Sequence, residues 1–237
     1  MTVFKEKKEP VFYPSSDGKR MAENTVQFNW LVKIKLGLEQ TTQNQNIFVA
    51  GDLLWYPEEG NNKLRYAPDV MVAVGRPKGD RGSYLQWKED NISPQIVIEI
   101  LSPGNRRGEM QKKLSFYEKY GVEEYIIYNP MKNKLTIYER KGEQLNELTN
   151  RVIKWKSKIL GFSFNLLEDT LEIFHPNGEP FKTNLELAAE KELAEEKARN
   201  AEEKARNAEQ KAQNAEQKAF LLAEKLRAMG INPDEIA

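Results

Sequence analysis

Two carboxylates in this chain stand where a carboxylate is costly. Asp69 lies in Pro68-Asp69-Val70-Met71-Val72 and Glu99 in Ile96-Val97-Ile98-Glu99-Ile100-Leu101, each inside or at the edge of an apolar, strand-like run. Desolvating an ionised carboxylate requires a cation or strong hydrogen-bond donors in return. If the two strands are neighbours, both side chains can address one divalent ion, and oxygen-only ligation suits Mg²⁺ or Mn²⁺. Lys113, on the helix that follows Glu99, is available to pair with a carboxylate or to orient a water for attack on phosphorus. Taken alone, these residues fit equally a solvated strand edge or an ordinary salt bridge.

The rest of the composition narrows the chemistry. The 237 residues include no cysteine, which excludes disulfides, thiolate catalysis and Cys-ligated zinc. The single histidine, His175, precedes the turn Pro176-Asn177-Gly178 and is expected at the surface rather than as ligand or base. Trp55, Trp87 and Trp155 can stack on bases but are read as core. Gly104 and Gly108 match neither a Walker loop nor a dinucleotide turn.

The elements that must position these residues follow from periodicity. Val26, Trp30, Ile34 and Leu38 predict a helix over Ala22 to Glu39. Ile47 to Trp55 and Ala67 to Val74 read as an adjacent pair of strands, and Gln95 to Leu101 as a buried strand stopped by Ser102-Pro103-Gly104-Asn105. Arg106 to Tyr120, with Met110, Leu114 and Tyr117 on one face, is a second helix ended by Gly121. Glu124 to Tyr128 and Lys134 to Arg140 are strands joined by the turn Asn129 to Asn133, and Lys158 to Phe174 is expected to close the domain as a last strand and short helix. The sum is an α/β (α+β) domain, a mixed sheet flanked by helices.

After Asn184 the composition changes to Ala, Glu, Lys, Gln and Asn. Heptads begin at Ala194, Ala201 and Ala208, and the stripe continues through Leu222 and Leu226 to Gly230. We divide the chain into residues 1–182, the globular domain, and 183–237, a long alanine-rich helical tail. An alanine seam buries little apolar area, so the tail is expected to self-associate weakly. A solvated helix held by Glu to Lys pairs is the other reading. The N-terminal residues contain no apolar signal segment and no run is long enough to span a membrane, so the expected location is cytoplasmic. With 36 basic and 36 acidic residues, bulk charge gives no attraction to nucleic acid, and a DNA role needs a local basic patch. Arg106, Arg107 and Lys112, beside Lys113, are the candidates for phosphate contacts; a solvated helix start is the alternative.

Several motifs in one order carry a resemblance: Pro68-Asp69-Val70-Met71-Val72, Val97-Ile98-Glu99-Ile100-Leu101-Ser102-Pro103, Lys113 with Tyr117, and Gly121-Val122-Glu123-Glu124-Tyr125 followed by Asn129-Pro130. From about Tyr13 to Phe174 the chain resembles the Uma-two family of restriction endonucleases, of the PD-(D/E)XK nuclease superfamily and common in cyanobacteria. The resemblance implies a restriction-endonuclease-like fold and a metal-dependent DNA endonuclease, in which Asp69 and Glu99 hold Mg²⁺ or Mn²⁺ and Glu23, on the first helix, is a further acidic ligand. The superfamily's lysine falls two residues after the second acid, which here is Leu101, so the role passes to Lys113 on the helix, as in the family. Lys112 is its neighbour, but Lys113 lies one turn before Tyr117 and shares its face. Glu109 and Asn129 depart from the aspartates common in the family, without touching the proposed ligands. Nucleases of this core often act as homodimers, an expectation carried over here. The competing function is a catalytically inactive nucleic-acid- or protein-binding module with a coiled-coil tail.

Overall fold

The computed structural model describes residues 11–16, 18, 24–105, 107–148 and 154–230. Their order is α1 (Thr25–Thr41), β1 (Ile47–Gly51), β2 (Trp55–Tyr56), β3 (Val70–Val74), β4 (Tyr84–Leu85), β5 (Ile96–Ile100), α2 (Arg107–Lys119), β6 (Glu124–Asn129), β7 (Lys134–Lys141), β8 (Gln144–Glu147), β9 (Lys154–Lys156), β10 (Ser163–Leu166), β11 (Leu171–Phe174) and α3 (Asn184–Ala228). The chain falls into two compact units, Met1–Lys182 and Thr183–Ala237.

The first unit is built on a six-stranded sheet in the order β1-β3-β5-β6-β7-β8. Neighbours are antiparallel except β5 and β6, which run parallel and are joined through α2. A parallel pair requires such a crossover, and this one carries α2 across the face to which Val97 and Glu99 point. Alternation along β5 does the sorting. Ile96, Ile98 and Ile100 join one core with Leu31, Ile34 and Leu38 of α1, whereas Val97 joins a second core with Phe116, Tyr117 and Tyr125.

Helix α1 starts at Asn24, whose side chain accepts the Gln27 N–H at 2.9 Å. Its buried face is Gln27, Leu31, Ile34, Gly37 and Leu38, while Val26 is 41% exposed. Of the expected stripe, Ile34 and Leu38 are buried and Trp30 packs half-buried against the same core, whereas Val26 turns outward and Gln27 and Leu31 complete the buried face one residue further round the helix. Gly37 is needed for close approach, because a Cβ at that position would stand 2.1 Å from the Phe181 ring.

Closure of the unit departs from the expected strand and short helix. Residues 154–174 form an antiparallel sheet in the order β11-β10-β9. Phe162, Phe164, Leu171 and Ile173 are all buried, and this period of two is that of strands. Polar β8, with Leu145 as its one buried residue, had no apolar run to announce it. His175 also departs from its expected surface position. It is buried, its ring lies 4.4 Å from that of Phe181, and Nδ1 is 2.7 Å from Thr41 Oγ1. Since the Thr41 hydroxyl donates to Gly37 O, the Nδ1–H donates to Thr41. Trp55 and Trp155 are core residues, and Trp87 packs on Tyr13.

The second unit is α3, a 45-residue helix opened by a capping box in which Thr183 and Glu186 exchange side-chain and backbone hydrogen bonds. It is exposed along nearly its whole length. Gly230, at φ +74°, follows its C-cap. No helix among the described residues is long and apolar enough to cross a membrane.

Candidate active site

The register of β3 on β5 pairs Val70 with Ile98, so one step further places Asp69 beside Glu99. Val70 and Ile98 belong to the α1-side core, so by alternation Asp69 and Glu99 both face α2. The two strands are neighbours, and the two carboxylates share one buried locality: Asp69 is 8% and Glu99 2% exposed.

Glu99 is held at both oxygens. Lys113 Nζ donates to Oε2 at 2.7 Å, and the Tyr117 hydroxyl donates to Oε1 at 2.6 Å. Lys113 and Tyr117 are four apart on α2, one helical turn, which is why a single helix face delivers both donors. Burial acts against the Lys113 ammonium, but Glu99, in direct contact, and then Asp69 hold its pKa above the ordinary lysine value. Burial, with the Glu99 charge beside it, pushes the Tyr117 phenol well above its usual range, so it stays a donor.

Asp69 is less well compensated. Its Oδ2 accepts the Ile100 N–H at 2.6 Å. Burial, followed by the charge of Glu99, pushes its carboxyl up to about 8, against the opposing pull of the Ile100 N–H and Lys113. Asp52 adds further negative charge nearby. Its φ is +48°, and its N–H donates to Asp69 O at 3.1 Å, which ties the end of β1 to the site. Asp tolerates this left-handed conformation better than most residues.

Two neighbours escaped the sequence reading, and a third, Tyr125, entered it only as part of the Gly121 to Tyr125 motif. Gln27, buried on α1, donates from Nε2 to Ile100 O at 3.0 Å, linking the helix to the strand that carries Glu99. Its signal was its place four residues before Leu31 on the buried stripe. Asp52 was masked by its position at a strand end. Tyr125 is fully buried, its ring 4.9 Å from that of Tyr117, and its hydroxyl has no hydrogen-bond partner among the described residues.

The structure thus brings together Asp69, Glu99 and Lys113. Lys112 and Arg107 are exposed on α2, so it is Lys113 whose ammonium reaches Glu99. Glu23 and Arg106 lie outside the described residues. Among the described residues no group of three or more His, Asp or Glu side chains is assembled around a metal position. Two buried carboxylates nevertheless fit Mg²⁺ or Mn²⁺, which are bound through one or two carboxylates with water and substrate oxygens completing the shell. The raised pKa of Asp69 shows a site whose negative charge the protein leaves incompletely balanced.

Comparison with known proteins gives the family. Residues 18–180, more than half of the chain, match the model of the family described as "Uma2: Putative restriction endonuclease", and the chain belongs to that family of restriction-endonuclease-like nucleases. Among solved structures it is similar to one described as a putative nuclease belonging to DUF820 from Anabaena variabilis, with 13% identity and a TM-score of 0.43, over 56% of this chain and 73% of that one. No curated protein matches it.

Proposed function

We propose that this Uma2-family protein is a metal-dependent endonuclease that hydrolyses phosphodiester bonds in DNA, with 1–182 as the nuclease domain, 183–237 as a helical tail, and the cytoplasm as its location. The observation that carries this reading is the meeting of Asp69, Glu99 and Lys113 on one buried face of adjacent strands and the helix above them. Asp69 and Glu99 would hold Mg²⁺ or Mn²⁺, with Glu23 as a further ligand. The ion, when bound, supplies an acidified water and neutralises charge on the phosphoryl oxygens. Tyr117 pins one oxygen of Glu99 and so fixes the carboxylate plane. Lys113 gives one hydrogen to Glu99 and keeps the others for a water or a phosphoryl oxygen. Arg107 and Lys112, exposed on the same helix, together with Arg106, which precedes it in the sequence, would meet the phosphate backbone.

One observation favours a second reading, a catalytically inactive nucleic-acid- or protein-binding module: both Glu99 oxygens already have protein donors. Cleavage of supercoiled plasmid and of single-stranded DNA, with Mg²⁺ or Mn²⁺, separates the two. Under the nuclease reading the wild type cuts, and Asp69→Asn, Glu99→Gln and Lys113→Ala each lose at least roughly 10³-fold in rate, the scale of losing a transition-state charge contact. Absence of cutting by the wild type, or equal cutting by all four proteins, establishes the binding module instead.

A further inference from the structure

We propose that α3 is a parallel pairing element whose partner is α3 of a second copy of this chain. The argument rests on where its charges sit. With Ala198, Ala205, Ala212, Ala219 and Leu226 at heptad position a, and Ala201, Ala208, Ala215, Leu222 and Met229 at d, every e position from 195 to 216 is glutamate: Glu195, Glu202, Glu209 and Glu216. Every g position from 197 to 225 is lysine: Lys197, Lys204, Lys211, Lys218 and Lys225.

These lysines do not serve the helix itself. An exposed helix gains from opposite charges three or four residues apart. Lys197, Lys204, Lys211 and Lys218 have only Ala, Asn or Leu at those distances on either side. The ion pair of Lys191 with Glu195 within α3 lies before the repeat of g lysines begins. The solvated helix held by its own Glu to Lys pairs therefore does not explain the pattern.

A second chain does. In a parallel pair each g residue faces the e residue of the partner's next heptad, so Lys197 meets Glu202, Lys204 meets Glu209 and Lys211 meets Glu216, each twice by symmetry. In an antiparallel pair g faces g and e faces e, which would align lysine with lysine and glutamate with glutamate. The charge pattern both selects a copy of this chain and sets its direction.

The near-identical heptads would tolerate a slip of seven residues, and the end of the helix resolves this. Leu222, Leu226 and Met229 continue the seam where alanine stops. Leu222 is 60% and Met229 73% exposed in the single chain, with Phe220 beside them at 63%. Only the unslipped pair covers all three seam residues of both chains with one another. In that register both chains enter the pair together at Thr183. The inference does not depend on whether the Asp69 and Glu99 site cuts DNA.

The test uses the full chain. Sedimentation equilibrium from low micromolar to several hundred micromolar should show a monomer–dimer equilibrium that weakens with added salt. The triple reversal Lys197→Glu, Lys204→Glu, Lys211→Glu should weaken it by roughly ten- to a hundredfold, as should Glu202→Lys, Glu209→Lys, Glu216→Lys, and an equimolar mixture of the two variants should restore it. Because the chain has no cysteine, Ala201→Cys alone reports direction. In the parallel pair the two cysteines sit side by side within disulfide reach and oxidation yields a covalent dimer. A wild type that stays monomeric throughout, a dimer indifferent to charge reversal, or Ala201→Cys chains that dimerise without cross-linking overturns the proposal.

Discussion

The sheet of the first unit carries two buried carboxylate pairs, and they are compensated to different degrees. On the α2 face stand Asp69 and Glu99 with Lys113. On the other face Glu124 and Glu139 lie directly opposite each other on β6 and β7, with Lys158 beside them. In the second cluster each carboxylate has its own set of donors. Glu124 accepts from Ser157 Oγ and Lys158 N–H, both at 2.7 Å, and Glu139 from Trp155 Nε1 at 2.8 Å and from Lys158 Nζ. Burial acts against ionised Glu139, but Lys158 and the Trp155 indole outweigh it and hold its pKa below the usual glutamate range. The donors all come from one short stretch, 155–158, so this cluster fastens β9 and the turn after it to the main sheet. Asp69, by contrast, is pushed up to about 8. Burial raises Glu124 too, in spite of its two donors, so what distinguishes the candidate active site is degree: Asp69 has the Ile100 N–H and the charge of Glu99 beside it, and is pushed up much further.

Activity should divide the two clusters most sharply. Against the loss expected for Asp69→Asn and Glu99→Gln, Glu124→Gln and Glu139→Gln should stay within about threefold of wild type in the plasmid assay, since they remove no group that faces the substrate. A loss in Glu139→Gln as large as that in Glu99→Gln, with the fold retained by circular dichroism, would erase the distinction.

The lysines should differ next. Lys113→Ala leaves Glu99 buried with Tyr117 as its remaining donor and should cost about 3–5 kcal/mol in urea unfolding. The Lys158 side chain is 73% exposed, and Lys158→Ala should cost no more than about 1 kcal/mol.

The pH dependence of Asp69 sharpens the same contrast. Its folded pKa, about 8, lies above the ordinary value of 3.8, so the folded state binds a proton that the unfolded state has lost. Asp69 therefore contributes stability that is fully present below the unfolded pKa and is lost as pH rises from about 4 through about 8, on the order of a few kcal/mol. Metal-free Asp69→Asn should flatten this decline and exceed wild type in stability at pH 9. Divalent cation should raise the wild-type Tm more at pH 9 than at pH 6, because at pH 6 it must displace the proton. Thermal unfolding with EDTA and with Mg²⁺ at both pH values measures this.

Tyr125 gives the smallest effect. Its hydroxyl is buried without a hydrogen-bond partner among the described residues, so Tyr125→Phe should leave stability unchanged or raise it by about 1 kcal/mol. A loss of more than that would mean that the hydroxyl makes a bond in solution.

Much of the site was legible because it breaks local rules. A carboxylate inside Ile-Val-Ile-Glu-Ile and another beside Val-Met-Val contradict their apolar surroundings, and Lys113 shares a helix face with Tyr117 whatever the fold around it. What escaped notice agreed with its surroundings. Gln27 and Tyr125 are ordinary residues for a helix and a strand, Glu124 opens β6, where charge is expected, and Glu139 begins the charged run Glu139-Arg140-Lys141 that closes β7. The misplacing of Val26 on the buried face of α1 has the same origin, since a four-residue spacing extends from Ile34 and Trp30 to Val26 as readily as the true face extends to Gln27.

By itself the sequence determined the existence and kind of the main elements, the two units of different composition, and the register of charges along α3, because these depend on periodicity within short stretches of chain. Only the tertiary structure decided that Asp69 and Glu99 share a face, that the Lys113 ammonium reaches Glu99, and that Glu124 and Glu139 take their donors from residues 155–158. Those outcomes depend on strand order, pairing register and the donors that arrive from distant segments. Burial and electrostatic balance are properties of neighbours in space, and no window along the chain contains them.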